Sequence, residues 1–413
     1  MINSFTHYLK TTIEFGNGKR FEIKNLIEEK NAKKVLLVCD PTVYKLGIAN
    51  DIIASVEEAG ASAVAFTEVE PDPRVATVDK CGALCKAEKC DLVIVAGGGS
   101  SMDIAKGAAI LATNEGSIHD YLAGRGEEIK EPVNPPIPLI AIPIVHNRRI
   151  SLQRAPHLST VAPIPLIAIP TTSGSGSEVS ECIVIVDTNN IKDIMFSPML
   201  AATYAVVDPE LTYSVPKNTT IHTGLDVLSH ALEAYSSVMD DAVAELMALE
   251  ALRIVFRSLP LCVNENDKAA RNEMAYASLL AGVAQSKCGC VIPHAASCPL
   301  TVYHNVPHGL GCGVLQIPTI DYNRDVCKEK YKRVLEYIGE KLPEHAQPAD
   351  VLIEKVRELF RAVGTEEKLD IGAVTEDELK KYAKDAMMDD GVNVNPRAVG
   401  EEDLMRIYKM ILK

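Results

Sequence analysis

The chain has no block of lysine or arginine. Its 56 acidic residues outnumber 42 basic ones, for a net charge of −14, and the acids are spread along the sequence. The electrostatic footprint needed for nucleic acid or an anionic membrane is missing, so neither is expected as a partner. No apolar run approaches the roughly 20 residues of a membrane-spanning helix. The first ten residues are polar, without an apolar stretch behind a basic start, so a cytoplasmic protein is expected. A disulfide framework is absent too: eleven cysteines, an odd and irregularly spaced set, fit reduced thiols in a reducing compartment. Cys81, Cys85 and Cys90, in or just after a helical stretch at 78–89, read as small core residues rather than a metal cluster, and so do Cys288 and Cys290.

What is present is enough material for two cores: 413 residues, 47% of them hydrophobic. The first half alternates β-rich runs with helical stretches. VLLVCD (35–40) precedes a helix to Ala59, AVAFTEV (63–69) a helix to Lys89, and LVIVAGGG follows. This βαβ alternation implies a parallel sheet. From about Thr219 the β-rich runs stop and long amphipathic segments, such as 242–259 and 349–363, take over. Thr375 and Glu378 form a capping box ahead of Leu379. The expected architecture is an α/β domain over 1–214 and an all-helical domain over 215–413, with the boundary near Pro216.

One internal repeat stands out. PIPLIAIP occurs at 136–143 and again at 163–170, an offset of 27 positions. Only the second copy runs into the polar TTSGSGSE, so it is assigned as the sheet strand. The segment near 144–163, with His146, Arg148, Arg149, Arg154 and His157, reads as a tandem insertion forming a solvated surface loop.

Two constellations carry chemistry. The first is the turn after 92–96, where Gly97, Gly98, Gly99 and Ser100 lead into a run of good helix formers. Glycines let backbone approach a phosphate, and the helix start supplies amides and a positive dipole end. The G-x-G-x-x-G spacing of the usual dinucleotide fold is missing, but Asp40 ends the first clear strand, where a carboxylate accepts an adenosine ribose and repels a 2′-phosphate, favouring NAD over NADP. An Asp before Pro41 is equally a turn starter. The second constellation is TGLDVLSHALEAY. Asp226 and His230, four apart, share a helix face, with Leu225, Leu228, Leu232 and Tyr235 on another side, so the polar pair is expected to face a cleft. His294, His304 and His308 follow in PHAASCPLTVYHNVPHG, where Pro293, Pro299 and Pro307 are expected to break the chain into short pieces. Three imidazoles and a carboxylate suit Fe²⁺ or Zn²⁺ and leave a position for a substrate oxygen.

Together these segments resemble the iron-containing, or group III, alcohol dehydrogenases nearly end to end. GGGSSMDIAKGAA resembles that family's phosphate-binding motif, IPTTSGSGSEVS its nicotinamide-side loop, and TGLDVLSHALEAY and HAASCPLTVYHNVPHG its two metal segments; NPR at 395–397 is also similar. The resemblance implies Asp226, His230, His294 and His308 as metal ligands, and Asp40, Asp72, Gly98, Gly99, Ser100, Thr171, Thr172 and Lys192 as NAD contacts. It implies a dehydroquinate synthase-like two-domain fold, reversible hydride transfer between NAD and a small alcohol or aldehyde, and a homodimer or larger homo-oligomer. Two departures stand out. Cys298 replaces a second histidine that many members carry and that is implicated in proton transfer, which leaves His304, ordered water or the cofactor ribose as substitutes, and the insert lengthens the chain. A glycerol dehydrogenase-like enzyme and a dehydroquinate synthase-like lyase are the alternatives on this scaffold.

Overall fold

A computed structural model describes residues 5–122, 164–189 and 191–413. The first repeat copy and the expected insert, with its two histidines and three arginines, lie outside them. Among the described residues there are eight strands: β1 (Thr12–Phe15), β2 (Lys34–Cys39), β3 (Ser62–Phe66), β4 (Leu92–Gly97), β5 (Leu166–Pro170), β6 (Cys182–Val186), β7 (Lys192–Phe196) and β8 (Tyr204–Val207). Six form one sheet in the order β1-β8-β5-β4-β2-β3. β2 runs parallel to both neighbours, with Val35 opposite Leu92 and Lys34 opposite Ser62. Its run KVLLVC is apolar without alternation because every residue from Val35 on is buried, as befits a parallel strand covered on both faces. The helices Ile48–Glu58, Val75–Ala87 and Gly99–Thr113 supply the crossovers, and Cys81, Cys85 and Cys90 lie buried in that core. The second copy of the repeat forms β5. An antiparallel hairpin, β6 with β7, was not foreseen in the parallel reading. Asp187 closes its turn by accepting from the amides of Asn189 and Ile191, both at 2.8 Å.

Packing gathers the chain into two compact units, each discontinuous in sequence. One comprises 21–168 and 181–204; the other comprises 1–20, 169–180 and 205–413. The second contains the helices Lys217–Ser236, Ala242–Glu265, Lys268–Cys288, Ile292–His304, His308–Tyr322, Lys328–Tyr337, Pro348–Val363, Glu376–Ala386 and Glu401–Ile411. Its core includes Leu225, Leu228, Leu252, Val255, Leu300, Leu315, Leu352, Phe360 and Tyr408, all fully buried. Burial of each such side chain is worth about 1.5–3 kcal/mol. The capping box is present, with Thr375 Oγ1 accepting from the Glu378 amide at 3.2 Å and Glu378 accepting from the Thr375 amide at 2.7 Å.

Two local expectations are corrected. Pro299 does not break the chain, since Ile292–His304 is one continuous helix through it. An interior proline costs about 3 kcal/mol, and the burial of Ile292, Ala295, Ala296 and Leu300 on this helix outweighs it. Nor do Asp226 and His230 face an open cleft: the helix Lys217–Ser236 is buried on nearly all sides from Gly224 onward. Their polarity therefore has to be satisfied inside.

Candidate metal centre and dinucleotide turn

On the helix Lys217–Ser236, Asp226, His230 and Glu233 fall at i, i+4 and i+7 and share a face. Glu233 is 1% exposed, so its charge must be fully partnered. It is partnered by the start of the next ligand segment. The helix Ile292–His304 begins at Val291, whose side chain cannot cap it. Glu233 Oε2 takes that role, accepting from the amides of Val291 at 2.8 Å and His294 at 3.3 Å. Its Oε1 accepts from Gln316 Nε2 at 3.0 Å and lies 2.7 Å from His294 Nδ1. A carboxylate there holds the imidazole proton on Nδ1, which leaves the Nε2 lone pair pointing away.

That lone pair has no hydrogen-bond partner, and neither does the Asp226 oxygen it faces. His294 Nε2 and His308 Nε2 stand 3.8 and 3.9 Å from Asp226 Oδ1. His308 opens the helix His308–Tyr322, with Nδ1 3.2 Å from Ser297 Oγ. The next residue must be glycine: a Cβ at Gly309 would stand 2.1 Å from the His222 carbonyl oxygen, so only a bare backbone lets the two ligand helices approach. The His230 ring stacks on His294 with centroids 4.5 Å apart and bonds the Gly174 carbonyl. Burial lowers its pKa to about 4, partly offset by Asp226, so the ring is neutral at physiological pH and keeps a lone pair.

These groups fit a divalent cation. Asp226 Oδ1, His230 Nδ1 and His294 Nε2 are buried and unpartnered, an arrangement costing about 1–3 kcal/mol per atom unless a cation takes the lone pairs. Asp226, His294, His308 and Cys312 bring one ligand atom each within 4.8 Å of one another, and His230, Cys290 and His294 form a second such group. Of the four expected ligands, Asp226, His294 and His308 thus converge directly, while His230 joins through His294. His308 is the more open, with 34% of its side chain exposed against 9% for Asp226.

At the other constellation, Gly97 ends β4 and Gly98 caps the helix Gly99–Thr113 without any side-chain bond to its first turn. A Cβ at Gly97 would sit 2.2 Å from Ser101 Oγ and 2.5 Å from Ser101 Cβ. Asp40 starts the turn, as its sequence context allowed. Its Oδ1 caps the short helix Pro41–Lys45, accepting from Thr42 N at 2.7 Å and Val43 N at 3.1 Å. Its Oδ2 is turned toward Gly97, 3.8 Å from where that residue's Cβ would be. Lys192, on β7, pairs with Asp72 at 2.5 Å, and Asp72 holds a left-handed φ of 51°. Thr171 and Thr172 directly follow β5 in the other unit, Thr171 buried and Thr172 half-buried.

The sequence profile described as iron-containing alcohol dehydrogenase matches residues 10–147 and 144–209, and that of the Fe-containing alcohol dehydrogenase family, C-terminal, matches residues 220–412. The chain belongs to the iron-containing alcohol dehydrogenase family. Choline dehydrogenase of Bacillus subtilis is 34% identical over 98% of this chain and 94% of its own length. Long-chain-alcohol dehydrogenase 1 of Geobacillus thermodenitrificans is 32% identical over 94% and 91%. Among solved structures, sulfoacetaldehyde reductase from Bifidobacterium kashiwanohense in complex with NAD⁺ aligns with TM-score 0.83 at 28% identity, covering 99% of both chains. A 1,3-propanediol oxidoreductase aligns with TM-score 0.84 at 27% identity, covering 99% and 100%. The two matches to the first profile overlap at 144–147.

Three residues of this dehydrogenase's centre escaped the sequence reading. Glu233 had a signal, since a glutamate inside the apolar run HALEAY continues the Asp226–His230 face by one further turn. Cys312 had one as well: it stands four residues after His308, the same spacing as Asp226 to His230. Cys290, read as a core filler, lies in the group with His230 and His294; it too stands four residues from a ligand, His294, but before the helix Ile292–His304 begins. The two relay candidates are elsewhere. Cys298 Sγ donates to the His294 carbonyl at 3.5 Å, and His304 Nε2 lies 2.6 Å from Tyr382 Oη. Neither belongs to the two convergent groups. The NPR segment is a structural lock, in which Asn395 bonds Asn323 in both directions and Arg397 lies over the Tyr322 ring.

Proposed function

We propose that this dehydrogenase interconverts a small alcohol and its aldehyde, with NAD as hydride partner and one divalent cation, Fe²⁺ before Zn²⁺, held by Asp226, His230, His294 and His308. The observation that carries the reading is the set of buried, unpartnered ligand atoms on Asp226, His230 and His294. When bound, the cation supplies Lewis acidity toward an alcohol or aldehyde oxygen, and NAD supplies the hydride acceptor.

The remaining work falls to the chain. Glu233 keeps the proton of His294 on Nδ1, and burial keeps His230 neutral. The dry surroundings of Asp226 exclude competing water. Asp40, Asp72, Gly98, Gly99, Ser100, Thr171, Thr172 and Lys192 hold the dinucleotide, its phosphates at the uncapped start of Gly99–Thr113 and its ribose at Asp40. In the same reading, residues 1–214 serve NAD and 215–413 the cation. Relatives named for choline, long-chain alcohols, methanol and 1,3-propanediol support an alcohol substrate without choosing one. The odd number and irregular spacing of the eleven cysteines support a cytoplasmic location. Family membership supports a homodimer or larger assembly, which light scattering checks.

The test is direct. Purified protein with NAD and a panel of short alcohols gives reduced nicotinamide absorbance, and a chelator abolishes it until Fe²⁺ or Zn²⁺ is returned. Turnover that survives complete metal removal refutes the reading. A lyase on this scaffold gives no net NADH.

A further inference from the structure

We infer that Cys312 is a thiolate ligand of the same cation, and that it biases this chain toward softer ions than a carboxylate–imidazole set alone selects. The inference rests on the metal site proposed above and goes beyond it in naming a donor that the expected ligand set leaves out.

Three features place the sulfur. Cys312 Sγ lies 3.7 Å from His308 Nε2, on the same nitrogen that stands 3.9 Å from Asp226 Oδ1. Bonds of about 2.1 Å to nitrogen or oxygen and about 2.3 Å to sulfur give tetrahedral edges of roughly 3.4–3.6 Å. Three edges here are 3.7, 3.8 and 3.9 Å, and the four atoms from Asp226, His294, His308 and Cys312 all lie within 4.8 Å of one another, so a small inward movement closes them on one ion. Independently, Asp226 is 6% exposed and its Oδ1 has no hydrogen-bond partner. A buried carboxylate left open between two imidazoles and a thiol points to a cation rather than to a packed core.

The thiol proton leaves to solvent as the ion binds. Before the ion binds, Ser297 holds the thiol in place. Its Oγ accepts from Cys312 Sγ at 3.2 Å while donating to the His294 carbonyl at 2.9 Å. That second bond anchors the hydroxyl to the helix bearing His294. Cys290 is the other thiol near the ligands, but it groups with His230 and His294 and not with Asp226. Thiolate donors select Zn²⁺ and Co²⁺ over harder ions.

The test strips the full-length protein with chelator, reloads it with Co²⁺, and records the visible and near-ultraviolet spectrum alongside elemental analysis. Visible ligand-field bands report Co²⁺ in the site, and a near-ultraviolet charge-transfer band reports a cobalt–sulfur bond. The expected result is both sets of bands, with the charge-transfer band lost in Cys312→Ser and kept in Cys290→Ser. With equal Fe²⁺ and Zn²⁺ offered anaerobically, Cys312→Ser should shift the bound ratio toward Fe²⁺ about tenfold. Ligand-field bands without the charge-transfer band, or a charge-transfer band that survives Cys312→Ser, overturn the inference and leave the metal site standing. No bound Co²⁺ overturns both. X-ray absorption on the Zn²⁺-loaded, unsubstituted protein needs no variant to fold: a sulfur shell near about 2.3 Å is expected, and a shell of only nitrogen and oxygen refutes it.

Discussion

The metal centre and the glycine turn, each in its own unit, hold ligands by opposite means. At the metal centre every functional atom belongs to a side chain, and its aim is set by other side chains: Glu233 fixes His294, Ser297 sits between His308 and Cys312, and the Gly174 carbonyl braces His230. At the turn, the attraction comes from main-chain amides and the helix dipole, and the side chains are conspicuous by being absent, as at Gly97 and Gly98. A side-chain site fails when a partner is removed, whereas a backbone site fails when an atom is added. The difference also governs energetics. Buried charges at the metal centre depend on one another, so losing one leaves several unpaired; the turn loses only local fit.

The strongest way to break the contrast is at the ligand carboxylate. Asp226→Asn should lower alcohol turnover by about 10³-fold or more, since Lewis acid catalysis is worth several kcal/mol, and NAD affinity measured by nicotinamide fluorescence should barely change. If both fall together, the two sites are not separate in function. Next comes Glu233→Gln, which keeps the size of the group but weakens its hold on His294. Loss of such an outer partner costs about 10–100-fold in metal affinity, to be read by competition with a chromogenic chelator, again with NAD binding unmoved. Gly97→Ala tests the opposite site by addition. Its methyl group collides with Ser101, costing about 1–3 kcal/mol of overpacking, so NAD affinity should fall by about tenfold or more while metal content by elemental analysis stays at one per chain. The smallest effect is expected at Asp40→Ala. Loss of the helix cap costs about 1 kcal/mol of stability, visible as a lowered thermal midpoint, and the ratio of NAD to NADP turnover should drop as the repelling carboxylate disappears.

The α/β half was readable because its signals are local. Strands β2, β3 and β4 announce themselves as short apolar runs punctuated by Asp40, Gly60 and the glycine triplet, and the helices between them follow from length. The hairpin β6–β7 was less readable, because its apolar run CIVIV reads equally as a buried parallel strand, and only pairing distinguishes the two. In the helical half, element existence was plain but its punctuation misled. Pro299 reads as a break by every local rule, yet helix-wide burial overrides it. Periodicity also misassigned the environment of Asp226 and His230: an apolar stripe on one side of a helix does not say what covers the other.

Chemistry of the residues by itself determined that a carboxylate and imidazoles from two segments would meet near a cation, and that a glycine-rich strand end would start a helix able to take a phosphate. Spacing and residue type decide both, because i, i+4 geometry and an absent Cβ act within a turn or two of the chain. Only the tertiary structure decided which further groups complete the centre. Glu233 becomes the cap of a helix that starts 58 residues later, and Cys312 joins Asp226 across two helices kept close by Gly309. Contacts at that separation depend on how buried helices stack, and stacking is settled by the whole core at once, not by any window of sequence.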